Sequence, residues 1–213
     1  MVIRKKIILT DELLQLAATD TFCNLQQETE ARWNLVETAW EYGLNTATIG
    51  VKYDEDVKLL FVDNCLRRKN ITSAKDALNG YQKGRCFYCF RNIDIDTSSP
   101  DACDVDHFYP HILKPFIPYA NLDGIWNLVL ACRHCNRGSN GKFSRVPAVK
   151  YVQRLHKRNE FLICSHHPLR ETLIQQTGNN AKTRSCYIRD IDMQAVSYLL
   201  HRWETEPINP AVF

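Results

Sequence analysis

Two Cys-x-x-Cys pairs constrain this chain more than any other feature: Cys86 and Cys89 enclose Phe87 and Tyr88, while Cys132 and Cys135 enclose Arg133 and His134. Each spacing makes a tight turn that brings two thiolates to one ion, and together the pairs supply the four sulfurs of a closed tetrahedral zinc site. Such a site is structural, because four thiolates leave no position for water or substrate. The chain carries nine cysteines in all. An odd number with this paired spacing argues for zinc in a reducing, cytoplasmic compartment and against a disulfide framework. Cys23, Cys65, Cys103, Cys164 and Cys186 lack the spacing and read as small buried hydrophobes.

The bulk composition excludes several classes. No stretch approaches the roughly 18 uncharged apolar residues of a membrane span, and Ile7 to Leu9 behind Arg4, Lys5 and Lys6 is too short for a signal peptide. Membrane and secreted roles are therefore disfavoured. A net charge of +3 is too small to mark a polyanion binder by itself, so the placement of charge decides.

Residues 1–80 read as a helical N-terminal region, a packing or interaction unit. Thr10 caps a helix with Leu13, Leu14 and Leu16, and a second runs from about Glu28 to Gly43 with Trp33, Val36 and Trp40 on one face. A short hairpin is expected across 49–62, and a helix behind Ser73 and Asp76 ends at Asn79 and Gly80. Residues 81–213 form the second unit, a site-rich segment covered by C-terminal helices. These helices are expected at 148–162, from about Pro168, and from Met193 to Trp203.

Between the cysteine pairs, Asp104 and Asp106 share one face of a short strand, and His107 ends it on the other. The apolar run from Asn127 to Ala131 can pair with it as an antiparallel ribbon, and Cys132 to Arg137 then opens a turn or helix that presents Asn136. An imidazole, a carboxylate and an amide oxygen brought together supply hard ligands for magnesium and a base for water, which points to a phosphodiester substrate.

These residues, framed by the two cysteine pairs, resemble the HNH endonucleases and their ββα-metal core over about residues 86–145. The match consists of Asp106-His107 followed by Pro110, Asn127 opening the Asn-Leu-Val-Leu-Ala-Cys strand, and Cys135-Asn136. The run from Asp104 to His107 is similar to the HNH domain of RNA-guided DNA nucleases. The resemblance implies an α+β fold and magnesium- or manganese-dependent hydrolysis of nucleic acid, DNA foremost. In it His107 is the general base, Asp106 and Asn136 hold the divalent metal, and Asn127 fixes the loop that orients His107. The family's final histidine is Asn136 here, which still offers a carbonyl oxygen. His111 and His134 read as exposed, with a phosphate contact as the alternative.

From Gly124 to Asn159 there is no Asp or Glu, yet Arg133, Arg137, Lys142, Arg145, Lys150, Arg154, Lys157 and Arg158 contribute eight positive charges. Such a stretch can track a phosphate backbone. Two alternatives stay open: a zinc-braced nucleic-acid binding module without catalysis, and a nuclease subunit active only with a partner ATPase or sensor in a restriction or anti-phage defence complex.

Overall fold

The computed structural model describes residues 9–18, 25, 29–30, 32–33, 36–37, 51–54, 56, 59–64, 67–165 and 167–213. Helix α1 (Asp11–Ala17) follows Thr10, and its Leu13, Leu14 and Leu16 are exposed. The helix expected from Glu28 to Gly43 lies largely outside the described residues, as do Cys23 and Cys65.

The first 80 residues are not uniformly helical. Strands β1 (Val51–Asp54), β2 (Leu59–Asn64) and β3 (Arg67–Ser73) form an antiparallel sheet in chain order. The expected hairpin is its first half, with Val51 opposite Val62. The third strand, Arg-Arg-Lys-Asn-Ile-Thr-Ser, has no apolar alternation, which is why its sequence carries no strand signal. Helix α2 (Ala74–Gln82) follows directly and runs past the expected stop at Gly80. Lys83 and Gly84 then turn left-handed, at φ 51° and 66°, and the Gly84 amide donates to Asn79 Oδ1 at 2.9 Å.

The centre of the molecule is a two-stranded ribbon, β4 (Cys103–His107) antiparallel to β5 (Leu128–Cys132), with Cys103 opposite Cys132 and His107 opposite Leu128. Helix α3 (Arg133–Arg137) begins at the end of β5, so the expected order of strand, loop, strand and helix is present. Every residue of β5 is buried, because both its faces are covered. On the backbone edge of β5, Gln82 brackets Leu130, accepting from its amide and donating to its carbonyl, each at 2.8 Å. The Phe87 amide donates to the same carbonyl at 2.9 Å.

Around this ribbon pack α4 (Val149–Cys164), α5 (Arg170–Thr177) and α6 (Ala181–Tyr198), and the short parallel pair β6 (Val146–Pro147) and β7 (Arg202–Trp203) closes the far side. The last helix was expected from Met193 to Trp203. It starts instead at a capping box, in which Asn180 Oδ1 accepts from the Thr183 amide and Thr183 Oγ1 from the Asn180 amide. It stops at Tyr198, and Asp192 and the Pro147 carbonyl hold the Arg202 guanidinium in β7. Of the unpaired cysteines, Cys103 is buried as expected, whereas Cys164 is exposed and Cys186 half-buried. No helix among the described residues is long and apolar enough to cross a membrane.

Candidate metal centre and the histidine face

The two Cys-x-x-Cys turns meet. Cys86, Cys89, Cys132 and Cys135 are all buried, with their sulfurs within 4.8 Å of one another. Cys89 Sγ and Cys132 Sγ lie 3.8 Å apart, matching the edge of about 3.8 Å that a tetrahedral ion with Zn–S bonds of about 2.3 Å imposes. Backbone amides aim at the sulfurs, from Cys132 to Cys86 Sγ at 3.3 Å and from Cys135 to Cys132 Sγ at 3.4 Å. The first turn closes through Phe90 at φ 60°, whose amide donates to the Cys86 carbonyl. Burial pushes the Cys86 thiol well above its ordinary pKa. Four thiolates this close are therefore stable only around a cation, and the cluster can hold a structural zinc.

The ring pair of the first turn anchors the centre to the rest of the fold. Phe87 and Tyr88 meet edge-to-face, and Tyr88 packs edge-on against Tyr151 and Trp203. The chain end returns over the turn: the Ile208 amide donates to the Cys89 carbonyl, and Phe213 packs on Phe87 and Phe90.

The alternation of β4 separates the expected catalytic residues. On one face Asp106 is buried and both its oxygens are engaged, Oδ2 accepting from the Tyr88 hydroxyl at 2.7 Å and Oδ1 facing Lys142 Nζ at 3.1 Å. Burial raises the Asp106 pKa, and the Lys142 charge opposes that rise. On the same face Asn136 donates to Asp104 Oδ2 at 3.0 Å, and Arg137 pairs with Asp104 at 2.9 Å. Of Asp106 and Asn136, expected to hold magnesium or manganese, Asp106 has both oxygens engaged, because the folding of Lys142 into the core claims it.

On the opposite face His107, 7% exposed, has Nδ1 2.8 Å from His111 Nε2 and Nε2 3.3 Å from Asp123 Oδ1. Burial, then the neighbouring His111, pushes its pKa down to about 3, so the imidazole is neutral near pH 7. Asp123 is a residue that sequence reasoning missed. In Leu-Asp-Gly it reads as an ordinary loop acid, and only the tertiary path of the loop delivers it. His111, expected on the surface, turns inward from a short 3₁₀ turn (His111–Leu113). His134 is exposed, as expected.

Asn127 latches the connection between the strands. Its Oδ1 accepts from the Tyr109 amide at 2.8 Å, and its Nδ2 donates to the Tyr109 and Leu122 carbonyls at 2.9 and 2.8 Å. The side chain is fully buried, so truncation strands three backbone groups. Asn127→Ala is expected to lower stability by about 3 kcal/mol or more in urea denaturation. A loss under about 1 kcal/mol would show that the loop is held elsewhere.

The basic stretch is largely consumed by the fold. Lys142 and Arg158 are buried, with Arg158 donating to the Trp126 carbonyl at 2.9 Å. Arg154 donates to the Phe87 and Tyr88 carbonyls and lies 4.2 Å over the Phe90 ring. Arg154 and Arg158, expected among the cations that track a phosphate backbone, instead send their stems across the packing face of α4, where carbonyls satisfy their heads. Lys150 pairs with Glu204 at 3.0 Å, and Arg145 binds the Asn140 and Gly141 carbonyls. Arg133, Arg137, Arg145, Lys150 and Lys157 remain exposed.

Comparison of the chain with protein-family models, curated proteins and solved structures found no match.

Proposed function

We propose that this protein is a zinc-braced, divalent-metal-dependent endonuclease of the HNH type that hydrolyses nucleic-acid phosphodiester bonds, with DNA as its first substrate. One observation carries the reading: a buried, neutral His107 ends the first strand of a ribbon-and-helix unit that a four-cysteine cluster holds together. His107 takes the proton of the attacking water, for which a neutral imidazole is required. Asn127 positions it by holding the chain from Phe108 onward, since the Phe108 amide also donates to the Asn127 carbonyl. Asp106 and Asn136 would hold a divalent ion once Asp106 is released from Lys142, and such an ion would supply charge neutralisation at the phosphate. Exposed Arg133, Arg137, Arg145, Lys150 and Lys157 contact phosphates.

The paired Asp106 favours a second reading, a nucleic-acid binding module without catalysis or an enzyme that a partner protein must open. Purified, zinc-loaded protein incubated with supercoiled plasmid and magnesium or manganese separates the two. Nicking that EDTA stops and His107→Ala abolishes, with zinc retained in the variant, supports the nuclease. Plasmid that is bound but stays supercoiled under both ions refutes an autonomous one.

A further inference from the structure

We infer that His107, His111 and Asp123 form a second metal site, selective for a borderline transition ion such as zinc or cobalt, on the face of the ribbon opposite Asp106. The donor atoms lie within 4.8 Å of one another. His107 Nε2 is 3.3 Å and His111 Nδ1 3.6 Å from the same oxygen, Asp123 Oδ1. With bonds of about 2.0–2.2 Å to nitrogen and carboxylate oxygen, a tetrahedral ion spaces its ligands about 3.3–3.6 Å apart.

The contact between His107 and Asp123 is not a hydrogen bond. Although the atoms are close, they are not aligned for one, and His107 Nε2 and Asp123 Oδ1 are buried with no hydrogen-bond partner among the described residues. Two orphaned buried donor atoms facing a common point are what a ligand set without a shared proton looks like, and leaving both unsatisfied is costly otherwise. Lys114 Nζ, 2.8 Å from Asp123 Oδ2, holds the carboxylate so that Oδ1 faces the histidines. Its charge works against a cation and moderates the affinity. Two imidazoles and one carboxylate suit zinc, cobalt or nickel, whereas magnesium prefers oxygen ligands throughout.

Binding has a structural consequence. An ion on His107 Nε2 and His111 Nδ1 leaves a proton on each remaining ring nitrogen, so the 2.8 Å hydrogen bond between the rings must open. His111, on the more exposed side, is the ring that moves. Provided the nuclease reading holds, the ion also takes the base out of use, making the site inhibitory.

Cobalt titration of the chain carrying a single equivalent of zinc, enough for the four cysteines alone, tests the site. One further equivalent is expected, with visible bands of nitrogen and oxygen coordination and no thiolate-to-metal charge transfer. His111→Ala and Asp123→Ala are each expected to weaken it by more than the roughly 10–100-fold that losing an outer partner costs. Absence of the extra equivalent, or its persistence unchanged in both variants, overturns the site. In a parallel plasmid assay, bound cobalt is expected to suppress magnesium-driven nicking by wild type, with His111→Ala resisting relative to its own magnesium-only rate. Unsuppressed nicking by cobalt-loaded wild type overturns the inhibitory role alone. A chain that binds cobalt but never nicks refutes the nuclease and leaves the metal site standing.

Discussion

Stripping the ion from Cys86, Cys89, Cys132 and Cys135 is expected to unfold the segment from about residue 85 to 145. A structural zinc contributes about 10–16 kcal/mol of apparent binding free energy, as much as or more than the 5–15 kcal/mol by which whole domains are stable. A zinc ion on the four sulfurs would tie the first turn to the start of α3, and Cys132 Sγ is also the N-cap acceptor of that helix. Chelation of the chain carrying a single equivalent of zinc should release that ion together with loss of the near-ultraviolet dichroism of Tyr88, within the turn, and of Tyr151 and Trp203, which pack on Tyr88. Cys132→Ser should reproduce the loss without chelator. A zinc-free chain with unaltered aromatic dichroism would refute a structural role.

Lys142→Met is expected to cost about 3–5 kcal/mol at neutral pH, because it leaves a buried carboxylate without its counter-charge. Lys142 Nζ also donates to the His107 carbonyl at 2.9 Å, so the end of β4 loses a tie. The pH dependence has a definite sign. Asp106 has a folded pKa raised by burial, so its ionisation opposes folding, and stability falls as pH rises from the unfolded value of about 3.9 through the folded one. Without the Lys142 charge the folded pKa rises further and the fall extends to higher pH. The deficit of Lys142→Met should therefore be larger at pH 8 than at pH 5, and the double variant with Asp106→Asn should recover most of it. Guanidinium denaturation at both pH values checks this, and a pH-independent deficit would show that packing dominates instead of charge.

The four-cysteine cluster and the β4–β5 ribbon were legible in the sequence because each rests on short spacing or on alternation, whereas the Asn127 latch was expected only through the family resemblance. Two residues between cysteines dictate a turn, and period-2 patterning dictates which face a strand side chain takes. The same alternation already placed Asp106 and His107 on opposite faces. What lay across from each depended on contacts far along the chain. Lys142, from the middle of the basic stretch, fills the Asp106 face, and Asp123, from the long connection between the strands, reaches the His107 face. Charge counts along the sequence failed for a related reason. A cation looks solvent-bound in any linear reading, yet Arg154 and Arg158 find carbonyls only because the zinc turn and the 3₁₀ turn at Ile125–Asn127 end beneath α4. Local chemistry was determined by the sequence, since covalent spacing and strand geometry act over a few residues. The partner of each buried charge was decided by the tertiary structure alone, since desolvation makes a distant counter-charge or carbonyl obligatory without specifying which one.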